Sequence, residues 1–333
     1  MAGTFLGSGY PRQRRQLARE RLLVAPLFGL AVLLAWSGSR ADTVPPASDC
    51  PGTSAVDAQA RQGVAATRAG PIGYYRFGHG EPLLLVTGYR ATVSEWNRAF
   101  LAALAAHRDV IVMDNPGVGL SRFDHAPETM EGMADVVSGF IEALHLRKVD
   151  VVGWSMGGMI AQQLALDHPY QVKSLVLMST TPPGAAAAPV SAHVHAVLSG
   201  QSVSPFEAIM GVLFPPDAQA QAIRCFRAEM FAPPGYHRSS VDARVAHAQS
   251  LAMAEWWRDN AAYTSLHRMA VPALVLVGDQ DEVLSPRNAD ALARQLPKAS
   301  LKVFADGGHA LMYQQPRGVA EAIVDFLDAQ ARR

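Results

Sequence analysis

The stretch VDVVGWSMGGMIAQQLAL, residues 149–166, decides the fold. Val149, Val151 and Val152 are β-branched and suit a short buried strand. From Met156 onward, apolar residues at Met159, Ile160, Leu164 and Leu166 recur with roughly helical spacing. Between the two lies G-x-S-x-G, made by Gly153, Ser155 and Gly157. A strand that runs into a helix through so short a turn leaves no room for a Cβ at either glycine. It also lifts the Ser155 hydroxyl into the open at a helix N-terminus. That is the local geometry of a serine nucleophile. The motif alone also describes a plain glycine-rich turn, and the flanking strand and helix favour the nucleophile.

Outward from this unit the chain alternates strand-like and helix-like segments. Strands are expected at 72–77, at 82–87 (PLLLVT), at 110–114 and at 173–178. Helices are expected near 95–106, where Thr92 and Glu95 fit a capping box, and at 128–144. From residue 182 to about 264 the pattern changes to several helices rich in Met, Phe and Ala, opened by TPPGAAAAP. Alternation then resumes with strands at 273–277 and 301–304 and helices at 286–296 and 316–329. Continuous apolar strands between helices imply an α/β fold, a mostly parallel, doubly wound sheet covered on both faces. The helical block at 182–264 is then an inserted cap, and the core comprises 67–181 and 265–333.

The 333 residues are 49% hydrophobic, enough for one large α/β domain with an insertion. Basic and acidic residues balance at 29 each, so no global field favours nucleic acid. The balance is uneven along the chain. Residues 1–41 hold six arginines and one glutamate, leaving the rest at net −5. Arg12, Arg14, Arg15, Arg19 and Arg21 precede an apolar run from Leu22 to Trp36, and Ser39-Arg40-Ala41 offers a small-x-small cleavage site. The run of about fifteen residues is short for a membrane span of about twenty. Residues 1–41 therefore read as an export signal, with an uncleaved N-terminal membrane anchor as the alternative. Cleavage would leave no stable membrane insertion. Arg14-Arg15 departs from the twin-arginine pattern, so the export route stays open. Residues 42–66, rich in Ala, Pro, Ser and Gly, read as a flexible lead-in. The two cysteines, Cys50 and Cys225, are permitted one disulfide in an oxidising compartment, and their spacing leaves the pairing open.

A serine hydroxyl needs a base to take its proton, and the base needs an orienting acid. In open α/β sheets such groups gather beyond the carboxyl ends of strands. Two later turns fit. VLVGDQDEV places Asp279, Asp281 and Glu282 after a strand, and VFADGGHAL places His309 after the last strand. The order Ser, acid, His matches that of serine hydrolases on such sheets. An oxyanion formed at Ser155 needs fixed N–H donors. One is the backbone N–H of Met156, where the helix dipole adds to it. The other is expected from the turn Gly88-Tyr89-Arg90. His193 and His195 form H-x-H in the expected cap without further ligands at metal spacing.

With these motifs in place, residues 72–329 resemble an α/β-hydrolase of the single-lid esterase, haloperoxidase and iminopeptidase-like group. In that family the acid follows a G-x-x-D turn, which implies Asp281, with Asp279 as runner-up. The alternative acid position after the preceding strand reads Ser179-Thr180-Thr181 and carries no carboxylate. The resemblance implies Tyr89 as the second oxyanion donor, although the family's His-Gly is Thr87-Gly88 here. The turn DNPGVGLS, residues 114–121, resembles the family's D-x-x-G-x-G-x-S. It lacks the lysine of a phosphate loop, so a structural role is expected. A serine nucleophile argues against epoxide hydrolase and dehalogenase relatives.

The expected function is hydrolysis of carboxylic esters through an acyl-serine intermediate, with no cofactor and no metal. The cap residues Met210, Leu213, Phe214, Met230, Phe231, Met253, Trp256 and Trp257 are mostly helix packing. Those that face Ser155 suit a small, apolar, uncharged ester-like substrate. Aminopeptidase, lactonase, thioesterase and perhydrolase chemistry use the same residues. A ligand-binding protein on the same fold is the rival from another class. Composition does not set the oligomeric state.

Overall fold

The computed structural model describes residue 50 and residues 55–236 and 240–332. The expected export signal and residues 42–49 and 51–54 of the lead-in lie outside the described residues. Eight strands form one sheet: β1 (Arg61–Ala66), β2 (Pro71–Gly78), β3 (Pro82–Val86), β4 (Asp109–Met113), β5 (Val149–Trp154), β6 (Val172–Met178), β7 (Ala273–Gly278) and β8 (Ala299–Phe304). Their spatial order is β1-β2-β4-β3-β5-β6-β7-β8. β2 runs antiparallel to both neighbours, and every pairing from β4 to β8 is parallel.

The central strands are legible because they are buried on both faces. β5 and β7 each bury all six successive residues. Successive side chains point to opposite faces, so helices must cover both. The helix Arg98–Ala105 packs against the closing helix Pro316–Ala331, and Met130–Ala143 against Met156–Asp167. The helix starts follow local chemistry. Thr129 accepts the Gly132 N–H at 3.0 Å, and Asn97 accepts the Phe100 N–H at 3.0 Å. The Thr92–Glu95 capping box forms, but it closes a short 3₁₀ turn, Val93–Glu95, one step before the helix.

The flexible lead-in expected to run to residue 66 ends earlier. A short helix, Val56–Gln59, and the edge strand β1 occupy its last part. Only Ala65 of β1 is buried, so the strand has almost no apolar alternation to read.

Between β6 and β7 the described residues form five α-helices, Ala192–Leu198, Pro205–Leu213, Pro216–Glu229, Ala243–Trp256 and Asn260–Leu266, after a short 3₁₀ turn at Gly184–Ala186. One corner of this insertion is fastened to the core. Phe231 N–H donates to the Trp96 carbonyl at 2.9 Å, and the Arg98 guanidinium donates to the Met230 carbonyl at 2.8 Å. Asn97 donates to Glu229 at 3.0 Å, and the Ala232 N–H donates at 3.3 Å to Asp57, which in turn pairs with Arg98 at 3.2 Å. Cys225, in the helix Pro216–Glu229, is disulfide-bonded to Cys50, 175 residues earlier.

A bridge closing so long a loop restricts the unfolded chain. Its removal by paired Cys50→Ser and Cys225→Ser substitutions is expected to cost about 2–4 kcal/mol. Urea unfolding with and without reductant checks this. The midpoint should fall on reduction in the wild type and stay fixed in the double variant.

Candidate active site

The order of the strands sets where the site can form. The chain passes from β3 outward to β4, then returns to lay β5 on the other side of β3. Crossovers therefore diverge between β3 and β5, and a crevice opens beyond their carboxyl ends. The turn after β3 carries Gly88, Tyr89 and Arg90, and the turn after β5 carries Ser155. The parallel register pairs Val86 with Gly153, which sets Gly88 beside Ser155 two residues on. A Cβ at Gly88 would lie 3.2 Å from the Ser155 Cβ and 3.7 Å from its Oγ.

Ser155 is half-buried and takes φ +56° and ψ −121°, a strained conformation for a residue with a side chain. The strain is held by packing on both sides. A Cβ on Gly153 would come 2.3 Å from the Gly157 carbonyl oxygen, and one on Gly157 would come 2.1 Å from the Val86 carbonyl oxygen. Ser155 N–H donates to the Met178 carbonyl at 3.0 Å, and Thr180 Oγ1 donates to the Ser155 carbonyl at 2.7 Å. Met156 opens the helix, so its N–H has no carbonyl one turn back within that helix.

The other two predicted side chains meet each other. His309 Nδ1 lies 2.9 Å from Asp281 Oδ2 and 3.1 Å from Oδ1. Both residues are buried, and Asp281 Oδ1 also accepts the N–H groups of Val283 and Leu284 at 2.9 Å. These two amides fix the carboxylate before it meets the imidazole. Asp279 and Glu282 are exposed. Binding Nδ1 to a carboxylate leaves Nε2 as the ring's proton acceptor.

Trp154 joins the two halves, and its type carried no signal in the sequence. Its indole N–H donates to the His309 carbonyl at 3.0 Å, and its ring centroid lies 5.8 Å from the imidazole. The residue before Ser155 thus holds the loop that carries His309. That loop is pinned further by Gln314, which accepts the Gly308 N–H at 2.7 Å, and by the cap carbonyl of Leu213, which accepts the Ala310 N–H at 3.2 Å.

Most of the cap residues singled out earlier pack against other side chains. Phe231 sits edge-on to Tyr75 and tilted against Phe77, Phe214 sits edge-on to Phe226 and Tyr313, and Trp256 donates to the Thr181 carbonyl. Tyr89, Met253 and Trp257 are half-buried. His193 and His195 lie on the cap helix Ala192–Leu198. Among the described residues no group of three or more His, Cys, Asp or Glu could hold a metal. Among the same residues no helix is long and apolar enough to cross a membrane.

The turn at residues 114–121 braces the crevice. Asp114 is fully buried and accepts the N–H groups of Val93 at 2.9 Å and Leu120 at 3.0 Å. Ser121 Oγ donates to the Asp114 carbonyl and accepts the Gly73 N–H, tying the turn to β2. Next to it, Asn115 donates to the Thr87 carbonyl and hydroxyl at 3.1 Å, steadying the peptide that leads into Gly88.

The chain belongs to the alpha/beta hydrolase fold family, whose pattern residues 81–316 match. It is similar to a poly(3-hydroxyalkanoate) depolymerase of Ectopseudomonas oleovorans, at 30% identity over 77% of this chain and 87% of that protein. It is also similar to monoacylglycerol lipase ABHD6 of Homo sapiens, at 27% identity over 76% of this chain and 77% of the lipase. Among solved structures, an alpha/beta hydrolase fold protein from Chitinophaga pinensis superposes with TM-score 0.71 at 24% identity, covering 82% of this chain and 99% of that one. A thermophilic esterase from Thermogutta terrifontis superposes with TM-score 0.64 at 27% identity, covering 81% and 99%.

Burial pushes the Asp114 carboxyl up to about 6 from its ordinary 3.8, against the two N–H groups that favour its charge. A carboxyl raised on folding stabilises the native state below its unfolded value. That contribution is lost as pH rises from 3.8 through about 6. Asp114→Asn cannot ionise. The stability advantage of wild type over this variant should therefore shrink by on the order of 2–3 kcal/mol between pH 4 and 7. Urea unfolding at each pH measures it, and a difference that stays level refutes the assignment.

Proposed function

We propose that the protein is an exported serine hydrolase that cleaves carboxylic esters through an acyl-Ser155 intermediate. The observation that carries this reading is the buried Asp281–His309 pair, tied through Trp154 to the strained turn that presents Ser155. His309 Nε2 takes the Ser155 proton as Oγ attacks the ester carbonyl. Asp281 holds the ring in the tautomer that leaves Nε2 free and stabilises the imidazolium that forms. The N–H groups of Met156 and Tyr89 receive the oxyanion. His309 then protonates the departing alcohol, and water, activated by the same ring, releases the acid.

The depolymerase and the monoacylglycerol lipase among the relatives favour an ester bond over a peptide bond. The Met- and Trp-bearing cap favours an apolar, uncharged acyl group. The arginine-rich start followed by an apolar run and a small-x-small site supports export. The Cys50–Cys225 disulfide supports an oxidising destination.

The deciding experiment is steady-state turnover of a chain-length series of activated acyl esters. Multiple turnovers are expected in the wild type, with kcat reduced about 10⁶-fold in Ser155→Ala. Asp281→Asn is expected to lose about 10⁴-fold. A folded wild type that binds the esters but gives a single turnover would instead identify a ligand-binding protein. Export has its own check. The full chain should be recovered outside the cytoplasm, shortened near Ala41, and retention of the intact chain inside would contradict it.

A further inference from the structure

The cap grips the turn after β3 through three contacts that the proposed chemistry does not use. Gln249 sits in the middle of the cap helix Ala243–Trp256 and is fully buried. Its Oε1 accepts the Arg90 N–H at 2.9 Å. Its neighbour Ser250 donates to the Tyr89 hydroxyl at 3.0 Å. The Arg90 guanidinium donates to the carbonyl of Leu198, the last residue of the cap helix Ala192–Leu198, at 3.2 Å.

The turn needs such a hold. Arg90 has φ +54°, a region that residues with long side chains rarely adopt by choice. The peptide between Gly88 and Tyr89 is set from inside the turn, because the Gly88 carbonyl accepts the Ala91 N–H at 3.3 Å. In a trans peptide the N–H points opposite to the C=O. With the Gly88 oxygen turned inward, the Tyr89 N–H is turned out of the turn, next to the glycine that lies against Ser155. The following peptide, which carries the Arg90 N–H, is fixed by Gln249 alone among the described side chains.

We infer that Gln249 is a positioning residue, a cap side chain that holds the Tyr89 N–H in the oxyanion site by anchoring the Arg90 N–H. This rests on the serine-hydrolase reading. The cap is then more than a wall over the crevice, because seating its helix Ala243–Trp256 completes the site. Gln249 does not touch the reacting atoms. Removing it loosens a donor that works only when negative charge develops, so it weakens the transition state more than the substrate complex.

The test uses the full chain with an activated acyl ester, a trifluoromethyl ketone of the same acyl length and the matching methyl ketone. The trifluoromethyl ketone forms an oxyanion on Ser155, and the methyl ketone, which stays a neutral carbonyl, reports ground-state binding. Gln249→Leu is expected to lower kcat about 10²-fold and to weaken the trifluoromethyl ketone by a similar factor. KM and the affinity for the methyl ketone should stay within about threefold of wild type. Gln249→Glu keeps an acceptor for the Arg90 N–H and exchanges Nε2, which has no partner among the described residues, for a second carboxyl oxygen. It should retain activity within about tenfold. Full activity in Gln249→Leu overturns the inference, as does a folded Gln249→Glu as inactive as Gln249→Leu. Should Gln249→Leu fail to fold, Gln249→Glu decides alone: retained activity supports the inference and inactivity of the folded variant overturns it. A wild type without turnover, or an active Ser155→Ala, removes the serine-hydrolase reading and the inference with it, which separates that failure from failure of Gln249 alone.

Discussion

The helix that follows β5 starts so close beneath β3 that Gly157 has no room for a side chain against the Val86 carbonyl. That close approach is the constraint on which the site depends. It forces the chain to turn within one residue, and Ser155 takes the strained conformation that results. The cost, of the order of 1–3 kcal/mol, is carried by strands buried on both faces around the turn. The same approach brings Gly88, at the start of the turn after β3, against Ser155. The parallel register of β3 and β5 sets where both turns begin, and beyond Gly88 the turn is held by the cap.

Asp281 and His309, the proposed acid and base, come from the other half of the sheet and must be brought to Ser155 across β6. Two devices achieve it. The carboxylate of Asp281 is oriented by two backbone N–H groups of its own turn, so it is set before it meets His309. Trp154, inside the nucleophile turn, then holds the backbone of His309. The imidazole is thus fixed at Nδ1 by Asp281 and at its backbone by Trp154 beside Ser155. The two neighbouring acids point into solvent, where a carboxylate could orient nothing.

The residues legible in the sequence are those whose signal is local. Ser155 was marked by its glycines, His309 by its place after the last strand, and Asp281 by the family's turn. The central strands were marked by runs with no polar face. What the sequence did not disclose depends on distant partners. β1 pairs on one side only and buries one residue, so its backbone bonds hold it without an apolar pattern. β8, at the opposite edge, starts two residues earlier than its apolar content indicates for the same reason. The Cys50–Cys225 pairing spans 175 residues and has no periodicity to betray it. Gln249 lies in an alanine-rich helix where a glutamine reads as solvent-facing, and only the arrival of Arg90 makes it a buried acceptor.

The cap is fastened at separate places, and the fastenings differ in kind. At one corner a disulfide, the Asn97–Glu229 hydrogen bond and a short backbone bridge at Met230 bind the helix Pro216–Glu229 and the residue after it to the start of the fold. These bonds are indifferent to what occupies the crevice. At the turn after β3 the fastening is three hydrogen bonds on Tyr89 and Arg90, the turn proposed to present an oxyanion donor. A hydrogen bond of this kind contributes only about 1 kcal/mol net, so this side can respond to a bound acyl group where the covalent corner cannot. Contacts made far from the reacting carbonyl can then be spent on orienting the donor. On this view the covalent corner keeps the cap in register, and the weaker one lets the substrate's own fit decide how well the site is assembled.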